Sequence, residues 1–512
     1  MLSTVFSSAV VGIDAYPVEV EVDISSGIPA FNIVGLPDTA CRESADRVRS
    51  AIKNSGLSFP SKKITVNLAP ADIKKEGSGF DLAIAIGLLV ANESIPAEQV
   101  KGKVFCGELS LDGRVRGIPG VLPRAALLAE EGSDEVLIVP AVNAKEALCV
   151  KGIHVYACKT LSGVIGFLKG DREVTKTSGS VVVSPEKKES QFEHLDFSDI
   201  KGQHHAKRAL EVAAAGGHNV IMIGPPGAGK TMLAKRFPSI LSDFSQEEAI
   251  ETTKIHSVAG LLTQKAALLE YRPFRDPHHT ISNVAMIGGG KYPKPGEVSL
   301  AHHGVLFLDE LAEFNRNVLE VLRQPLEEGR VTISRAASTL TFPARFMLVA
   351  ATNPCPCGYF SDPKKECNCT PIQVKKYMSK ISGPLLDRID IQLEVPCLKV
   401  NEITGKSGGE TSDMIRARVE KARLFQRARY CHEKIASNAE LEAHQVEKYC
   451  RVSPEAEKLL KMAIQTLGFS ARAYHKSLKV ARTIADLEES ELINAEHVSE
   501  AIHYRSLDRS VA

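Results

Sequence analysis

Apolar runs of strand length alternate with helix-like patterns along the first third of the chain. The strand-like runs are residues 18–22, 64–68 and 136–139, and the helix-like ones are 44–53 and 82–90. This alternation is typical of an α/β fold, so residues 1–170 are predicted to form one α/β domain. Residues 1–16 are interpreted as its first strand, because their short apolar run has no basic segment before it, unlike a signal peptide.

A second alternating region occupies residues 196–400. Short apolar runs at 219–223, 305–308 and 346–350 alternate there with helical patterns. Buried strands of this kind predict a parallel sheet that is covered on both faces. The expected fold class is therefore α/β in both regions.

Two polar segments separate the predicted domains. Residues 171–195 are rich in Lys, Thr, Ser, Gly and Glu, which is the composition of an exposed linker. Residues 401–413 contain three glycines and are interpreted as a second flexible joint. The chain from 414 to 512 carries a helical pattern almost to its end.

The overall composition is that of an ordinary globular protein. The 512 residues are 44% hydrophobic and 24% charged, and 63 Lys and Arg against 62 Asp and Glu leave a net charge of +1. A collagen-like, disulfide-scaffold or wholly disordered chain is therefore excluded. Contact with nucleic acid would have to come from local basic patches rather than from the net charge.

Cysteine usage and hydropathy bear on the cellular compartment. Eleven cysteines are present, an odd number, and four of them lie in pairs within 15 residues. That pattern suits metal binding or free thiols in a reducing compartment. No apolar run reaches the roughly 18 residues of a membrane-spanning helix. We therefore expect a cytoplasmic protein with no membrane partner.

A glycine-rich segment between a strand and a helix carries the clearest chemistry. It consists of Gly224, Pro225, Pro226, Gly227, Ala228, Gly229, Lys230 and Thr231. This Gly-x-x-x-x-Gly-Lys-Thr pattern predicts a phosphate loop, in which backbone N–H groups and Lys230 bind the phosphates of ATP and Thr231 binds Mg²⁺. The alternative is a turn without a ligand, but Lys-Thr after the last glycine has no packing purpose there.

Carboxylates and an amide follow the next two strands. Asp309 and Glu310 come directly after residues 305–308, and Asn353 comes soon after 346–350. Because these strand ends should meet at one edge of the sheet, Asp309 is predicted to hold Mg²⁺, Glu310 to polarise the attacking water, and Asn353 to orient it. Taken alone, the acidic pair could be a solvated strand end and Asn353 a cap.

The order of these motifs resembles that of AAA+ ATPases. Residues 199–203 match an entry segment, and the detailed match lies in Pro277-His-His-Thr280, Gly288-Gly-Gly290, the segment 295–302 and Leu385-Leu-Asp-Arg-Ile-Asp390. These segments resemble the magnesium-chelatase ATPase subunit and the related YifB/ComM family, and the second resemblance extends over essentially the whole chain. It implies a Lon-protease-like domain at 1–170, an AAA+ core at 196–400 and a helical lid at 414–512.

Several residue roles are implied by this resemblance. Arg388 matches an arginine finger that reaches the γ-phosphate of a neighbouring subunit, and Arg472 matches the lid arginine that contacts nucleotide. Residues 271–297 resemble an insertion whose tip, with Lys291 and Lys294, faces a central pore. Surface ion pairs are the alternative for the two arginines, and a mobile loop is the alternative for the tip.

Two Cys-x-Cys pairs follow Asn353. They are Cys355, Cys357, Cys367 and Cys369, with nine residues between the pairs. Four thiolates can close a tetrahedral Zn²⁺ site and so hold together a loop too polar for its own core. Four reduced thiols on an exposed loop are the alternative.

Histidine pairs and a basic stretch have simpler interpretations. His278-His279 and His302-His303 are interpreted as packing or hydrogen-bonding residues, because neighbours on a strand point to opposite faces. Arg416, Arg423 and Arg427 are predicted to share one helix face. A solvated face is the first interpretation, and contact with a phosphate backbone is the second.

The N-terminal region resembles a Lon-type protease without its catalytic dyad. Lys75-Glu-Gly-Ser-Gly79 looks like the nucleophile loop, but the register places Gly79 at the nucleophile and Leu122 at the general-base lysine. A serine without a base is a weak nucleophile. We therefore expect this domain to serve assembly or substrate contact.

Three functions remain open at this stage. The resemblance implies an ATP-driven motor, a homo-oligomeric hexameric ring that moves branched DNA during recombination in natural transformation. The alternatives are a chelatase-type motor that remodels a partner protein, and an ATP-dependent protease. The missing dyad disfavours the protease, and the Lon-like domain, which a chelatase motor lacks, disfavours the chelatase.

Overall fold

The chain divides into two units, each with its own sheet. The computed structural model describes residues 1–130, 132, 135–170, 195–262, 268–290, 293–335, 338–360, 362, 365–398, 409–433, 435–467 and 469–505. The first unit comprises Met1–Glu186 and Gln246–Leu269, and the second comprises Lys187–Ser245 and Glu270–Ala512. Most of the predicted linker (171–194) and joint (401–408) lies outside the described residues.

The described residues form the following elements. The strands are β1 Leu2–Val11, β2 Asp14–Ser25, β3 Ala30–Val34, β4 Lys63–Ala69, β5 Lys103–Phe105, β6 Glu108–Leu109, β7 Val115–Arg116, β8 Val136–Pro140, β9 His154–Cys158, β10 Val220–Ile223, β11 Phe274–Arg275, β12 Gly288–Gly289, β13 Lys294–Pro295, β14 Val305–Leu308, β15 Arg330–Arg335, β16 Ser338–Pro343, β17 Met347–Thr352 and β18 Ile391–Glu394. The helices are α1 Thr39–Asn54, α2 Asp81–Ala91, α3 Val121–Glu130, α4 Ala144–Ala147, α5 Leu161–Lys169, α6 His204–Gly216, α7 Lys230–Arg236, α8 Gln246–Val258, α9 Asn283–Ile287, α10 Glu297–Leu300, α11 Arg316–Val321, α12 Arg323–Glu328, α13 Pro371–Met378, α14 Gly383–Leu386, α15 Ser412–Arg429, α16 Ala443–Tyr449, α17 Pro454–Leu467, α18 Ala471–Leu487 and α19 Ala495–His503.

The first unit contains a seven-stranded mixed sheet in the order β3-β4-β2-β1-β5-β8-β9. Its N-terminal segment is a hairpin rather than the single strand expected for residues 1–16, since β1 and β2 pair antiparallel with Val11 opposite Asp14. The reason is Gly12, which has φ 64° and so allows a two-residue turn.

One face of this sheet is buried beneath helix α2. Along β2, Val18, Val20 and Val22 are buried while the intervening Glu19 is exposed, which is the alternation of a strand covered on one side. Every residue of α2 is buried. The α/β organisation predicted for residues 1–170 is confirmed.

Helix α8 belongs to the first unit although it lies between two segments of the second. The Ser257 hydroxyl donates to Glu146 at 2.5 Å, and the Gly120 amide donates to the Ser257 carbonyl at 3.2 Å. The sequence analysis assigned these residues to the central domain. Their contacts with the turn before α3 and with α4 place them with the N-terminal sheet instead.

The second unit is built on a five-stranded parallel sheet in the order β11-β14-β17-β10-β18. Its central strands are buried along their whole length, as predicted for a sheet covered on both faces. Ile223 pairs with Thr352, and Leu308 pairs with Ala350. The carboxyl ends of β10, β14 and β17 therefore meet at one edge, which we call the carboxyl edge.

Helices α15–α19 complete the second unit and confirm the helical C-terminal part. Two of the three arginines predicted to share a basic face of α15 bond within this unit. Arg416 donates to the Ser239 carbonyl and Arg423 to the Ala214 carbonyl, each at 3.2 Å, whereas Arg427 is exposed. Within the described parts of the chain, no helix is both long and apolar enough to cross a membrane.

Candidate active site

The segment Gly224–Thr231 connects β10 to α7 at the carboxyl edge. Gly229 has φ 92°, a left-handed conformation that glycine adopts without strain, and α7 begins at the next residue. At Gly224 a Cβ atom would lie 2.1 Å from the Val395 carbonyl oxygen, so only glycine fits where the loop leaves the strand. The segment thus has the strand–loop–helix context that a phosphate loop requires.

Lys230 lies beneath this loop and is almost fully buried. Its ammonium donates to the carbonyls of Gly224 at 2.6 Å and Pro225 at 3.0 Å, and to Asn353 Oδ1 at 3.1 Å. Burial lowers the pKa of Lys230, and the nearby Asp309 carboxylate opposes that shift. The loop therefore holds a positive charge at its centre, where phosphate oxygens would need it.

The predicted Mg²⁺ ligands face each other at the same edge. The Thr231 hydroxyl donates to Asp309 Oδ2 at 2.7 Å. Hydroxyl and carboxylate oxygens are ligands that Mg²⁺ accepts, usually together with waters and substrate phosphates. Thr231 belongs to α7 after β10 and Asp309 follows β14, and the sheet brings them together, so the donor set fits this ion.

Glu310 is held in an unusual backbone conformation beside a histidine. Its φ is 53°, and its amide donates to Asp309 Oδ1 at 2.9 Å. His279 Nδ1 lies 3.7 Å from Glu310 Oε2. His279 was expected to be a packing or hydrogen-bonding residue; it packs against Phe314 and lies beside the predicted base, a position that only its motif, shared with a known family, indicated.

Two amides support the loop. Asn353, predicted to orient water, accepts a hydrogen bond from Lys230. The Gln203 side chain donates to the carbonyls of Ala228 at 3.2 Å and Pro396 at 2.7 Å. Gln203 was noted only as part of an entry segment, and the structure gives it a direct contact with the phosphate loop.

Arg388 lies at the opposite edge of the same sheet. It precedes β18, whose first residue, Ile391, pairs with Val220, whereas the phosphate loop follows Ile223. The strand between these ends spans on the order of 10 Å. Arg388 forms an ion pair with Glu327 and donates to the Pro384 carbonyl at 2.5 Å. It is therefore not brought to the phosphate loop of its own chain.

Arg472 lies near Arg388 rather than near Lys230. Its guanidinium is 4.0 Å from Asp387 Oδ2 and its side chain is 66% exposed. Both arginines lower the pKa of Glu327, Arg388 by a hydrogen bond and Arg472 by its charge. The two residues predicted to contact nucleotide thus form one cationic group at the edge away from the loop, which we call the arginine edge.

Comparisons with known proteins agree with this geometry. The family "Magnesium chelatase, subunit ChlI" matches residues 196–403, and its C-terminal family matches 409–505. Competence protein ComM of Haemophilus influenzae is 45% identical over 511 residues, covering 99% of this chain and 98% of the relative. The chain belongs to the YifB/ComM family of AAA+ ATPases. YifB of Escherichia coli is 44% identical over 510 residues with the same coverage.

The N-terminal unit of this YifB/ComM protein is similar to other proteins too. "Subunit ChlI of Mg-chelatase" matches residues 20–143, and Lon protease 2 of Bacillus subtilis is 31% identical over 150 residues, 27% of this chain and 26% of that protease. In the structure Ser78 donates to Glu108, and the Lys75 ammonium donates to the Ile73 carbonyl at 2.7 Å. A Cβ on Gly79 would lie 3.4 Å from the Arg124 guanidinium. That the unit does not cleave peptides stays a prediction.

The four paired cysteines of this family member lie together after β17. Their ligand atoms are all within 4.8 Å of one another, and the Sγ atoms of Cys355 and Cys367 are 3.7 Å apart. A disulfide would require about 2.05 Å, so these are separate thiols. A backbone hydrogen bond at Tyr359 lowers the pKa of Cys357 to about 6. Backbone hydrogen bonds also lower the pKa values of Cys367 and Cys369, but desolvation and the neighbouring thiols outweigh them, so that the pKa of Cys367 is raised to about 12 and that of Cys369 is raised too.

Proposed function

We propose that this AAA+ ATPase is a ring-shaped motor that acts on DNA and moves the branch points of recombination intermediates formed when DNA is taken up by natural transformation. The observation that supports it most is the similarity, over the full length, to a protein named for competence, the ability to take up DNA. Hydrolysis of ATP at the nucleotide site would supply the energy for this movement. The DNA substrate and the movement of branch points are the parts of the function that we propose.

The chain's own residues account for hydrolysis of ATP. The phosphate loop and Lys230 would bind the phosphates, and Thr231 and Asp309, which face each other, would hold Mg²⁺, whose charge would neutralise the phosphates. Glu310 accepts a proton from the water that attacks the γ-phosphate. His279 positions the Glu310 carboxylate from 3.7 Å away, and Asn353 positions the Lys230 ammonium.

We propose a homo-oligomeric ring, which we take to be a hexamer, and the positions of the arginines support it. One subunit carries a phosphate loop at the carboxyl edge and Arg388 and Arg472 at the arginine edge. In a ring with head-to-tail contacts, the arginine edge of one subunit faces the carboxyl edge of the next. Arg388 then stabilises the charge that develops on the γ-phosphate of the neighbouring subunit.

Contact with DNA is proposed for the hairpin β12–β13. It places the exposed Lys294 after two glycines, Gly288 and Gly289, with φ 99° and 144°. Gly288 lets the two strands of the hairpin pack, since a Cβ there would lie 2.4 Å from the Lys294 carbonyl oxygen, and the exposed lysine would supply the charge that a phosphate backbone binds. Lys291, the other lysine predicted for the tip, lies outside the described residues.

We further propose Zn²⁺ as the ion held by Cys355, Cys357, Cys367 and Cys369. A tetrahedral Zn²⁺ with bonds of about 2.3 Å separates neighbouring sulfurs by about 3.8 Å. Three of the Sγ–Sγ distances are 3.3, 3.5 and 3.7 Å. The sulfurs are therefore close to the positions that a four-thiolate zinc site requires.

The test is dissociation of a synthetic four-way DNA junction in the presence of ATP. We expect the wild type to separate the junction and Lys230→Ala to leave it intact. Lys235→Ala is the matched control, because Lys235 lies on the same helix and is exposed. ATP turnover by the wild type with no effect on any junction would contradict the DNA proposal and favour a magnesium-chelatase-like motor that remodels a partner protein.

A further inference from the structure

We propose that the metal-bound cysteine loop, residues 355–369, supports the phosphate loop directly, so that zinc occupancy controls how tightly the chain binds ATP. The inference rests on the zinc site proposed above and extends it to regulation of the nucleotide site. It does not depend on DNA as the substrate. Three observations carry it: contact between the loops, their connection through Asn353, and the polarity of the cysteine loop.

The two loops touch at Gly358 and Pro226. A Cβ on Gly358 would lie 2.7 Å from Pro226 Cδ and 2.8 Å from Pro226 Cγ, distances that real Cβ atoms do not adopt. Gly358 is buried, has φ 85°, and donates its amide to the Cys355 carbonyl at 3.0 Å. The backbone between Cys355 and Gly358 is therefore packed against the phosphate loop.

The cysteine loop is also connected to Lys230 along the chain. Asn353 accepts a hydrogen bond from the Lys230 ammonium at 3.1 Å, and Cys355 follows only two residues later. Cys355 is completely buried and its sulfur accepts a hydrogen bond from the Phe360 amide at 3.3 Å. A displacement of Cys355 would therefore move the amide that positions the lysine.

Few of the described residues of the cysteine loop are buried. Among its described residues only Cys355 and Gly358 are buried, and the segment from Lys365 to Cys369 is exposed or half-buried. A polar loop of this length has no hydrophobic core, so a bound ion would supply most of its order. Binding of Zn²⁺ releases the thiol protons and fixes the four sulfurs about one point.

The test compares variants of the full chain for zinc content, binding of a fluorescent ATP analogue and thermal unfolding. Cys369→Ser should lose zinc and weaken analogue binding about tenfold, the loss expected when a hydrogen bond to a charged group is no longer supported. Pro226→Ala keeps all four thiols but shortens the side chain that Gly358 contacts. It should retain one zinc and still bind the analogue more weakly than the wild type.

Cys431→Ser is the matched control, because Cys431 is an exposed cysteine of the same unit outside the cluster; it should leave zinc content and affinity unchanged. Wild-type chain without zinc, or a folded Cys369→Ser chain that binds the analogue within twofold of the wild type, would overturn the proposal. Equal affinity of Pro226→Ala and the wild type for the analogue would overturn the proposed support of the phosphate loop through Gly358 and Pro226. None of these measurements contains DNA. A failure of the junction assay would therefore contradict the DNA proposal without bearing on the link between zinc and ATP binding.

Discussion

Removal of the Arg388 guanidinium tests whether the nucleotide site is shared between subunits. Arg388 lies at the arginine edge, on the order of 10 Å of strand away from its own phosphate loop. If it completes a neighbour's site, Arg388→Ala should lower ATP turnover by about 10³-fold or more, the effect of losing an arginine finger. The same substitution also removes the ion pair with Glu327.

The cost in stability should be small by comparison. The Arg388 side chain is only 11% exposed but Glu327 is 52% exposed, so solvent screens the pair and its loss should cost on the order of 1–2 kcal/mol. Arg388→Ala should therefore unfold close to the wild-type temperature while losing turnover. Arg330→Ala is the matched control, since Arg330 also pairs with a glutamate and its side chain is 62% exposed; we expect it to keep normal turnover.

Mixing two inactive variants distinguishes an Arg388 that acts on a neighbouring subunit from one that acts within its own chain. Lys230→Ala and Arg388→Ala are each expected to be inactive alone, but equal mixing before assembly should restore about one quarter of wild-type turnover, since one interface in four then combines an intact loop with an intact arginine. The assay is release of phosphate at saturating ATP. No recovery on mixing, or an Arg388→Ala chain that is active alone, would refute the reasoning.

Two further substitutions test the predicted base and a buried ion pair. Glu310→Gln should bind the fluorescent ATP analogue normally and lower phosphate release about 100-fold or more; normal release would contradict its role as base. Burial disfavours the charged form of Asp390, but Lys476 at 2.7 Å and His218 outweigh it and hold its pKa far below the usual value. The stabilisation from a lowered carboxyl pKa is present above about pH 4 and is lost as the pH falls further. Urea unfolding should therefore show Asp390→Asn to be less stable than the wild type at pH 7, with a difference that shrinks below about pH 4; a difference independent of pH would contradict this pairing.

The residues of the nucleotide site could be predicted because they follow buried strands. Parallel strands bring their carboxyl ends to one edge, so Lys230, Asp309 and Asn353 could be placed together from strand ends alone. The contact of His279 with Glu310 could not be predicted, because the two residues are 31 positions apart in the sequence and no periodicity relates them. The same holds for Gly358 and Pro226, which meet only through the packing of two irregular loops.

Local conformation also explains where the interpretation of single elements was wrong. The first 16 residues read as one apolar strand, and the turn depends on the positive φ of Gly12. Arg416, Arg423 and Arg427 of α15 were expected to share a basic face, but Arg416 and Arg423 donate to the carbonyls of Ser239 and Ala214, and only Arg427 of the three is exposed. Periodicity identifies the face of a helix, whereas the partner of that face depends on tertiary packing.

In the proposed ring, the separation of the two edges would make hydrolysis depend on neighbouring subunits. Each chain carries a complete phosphate loop with Lys230, and each carries Arg388, but Lys230 follows β10 at one edge of the sheet and Arg388 precedes β18 at the other. Arg388 and Glu327 pair within the chain, so in that ring the arginine would have to leave this partner before reaching a neighbour's phosphate. ATP bound between subunits would then compete with an internal carboxylate for the same guanidinium, which would tie nucleotide state to the contact between neighbours.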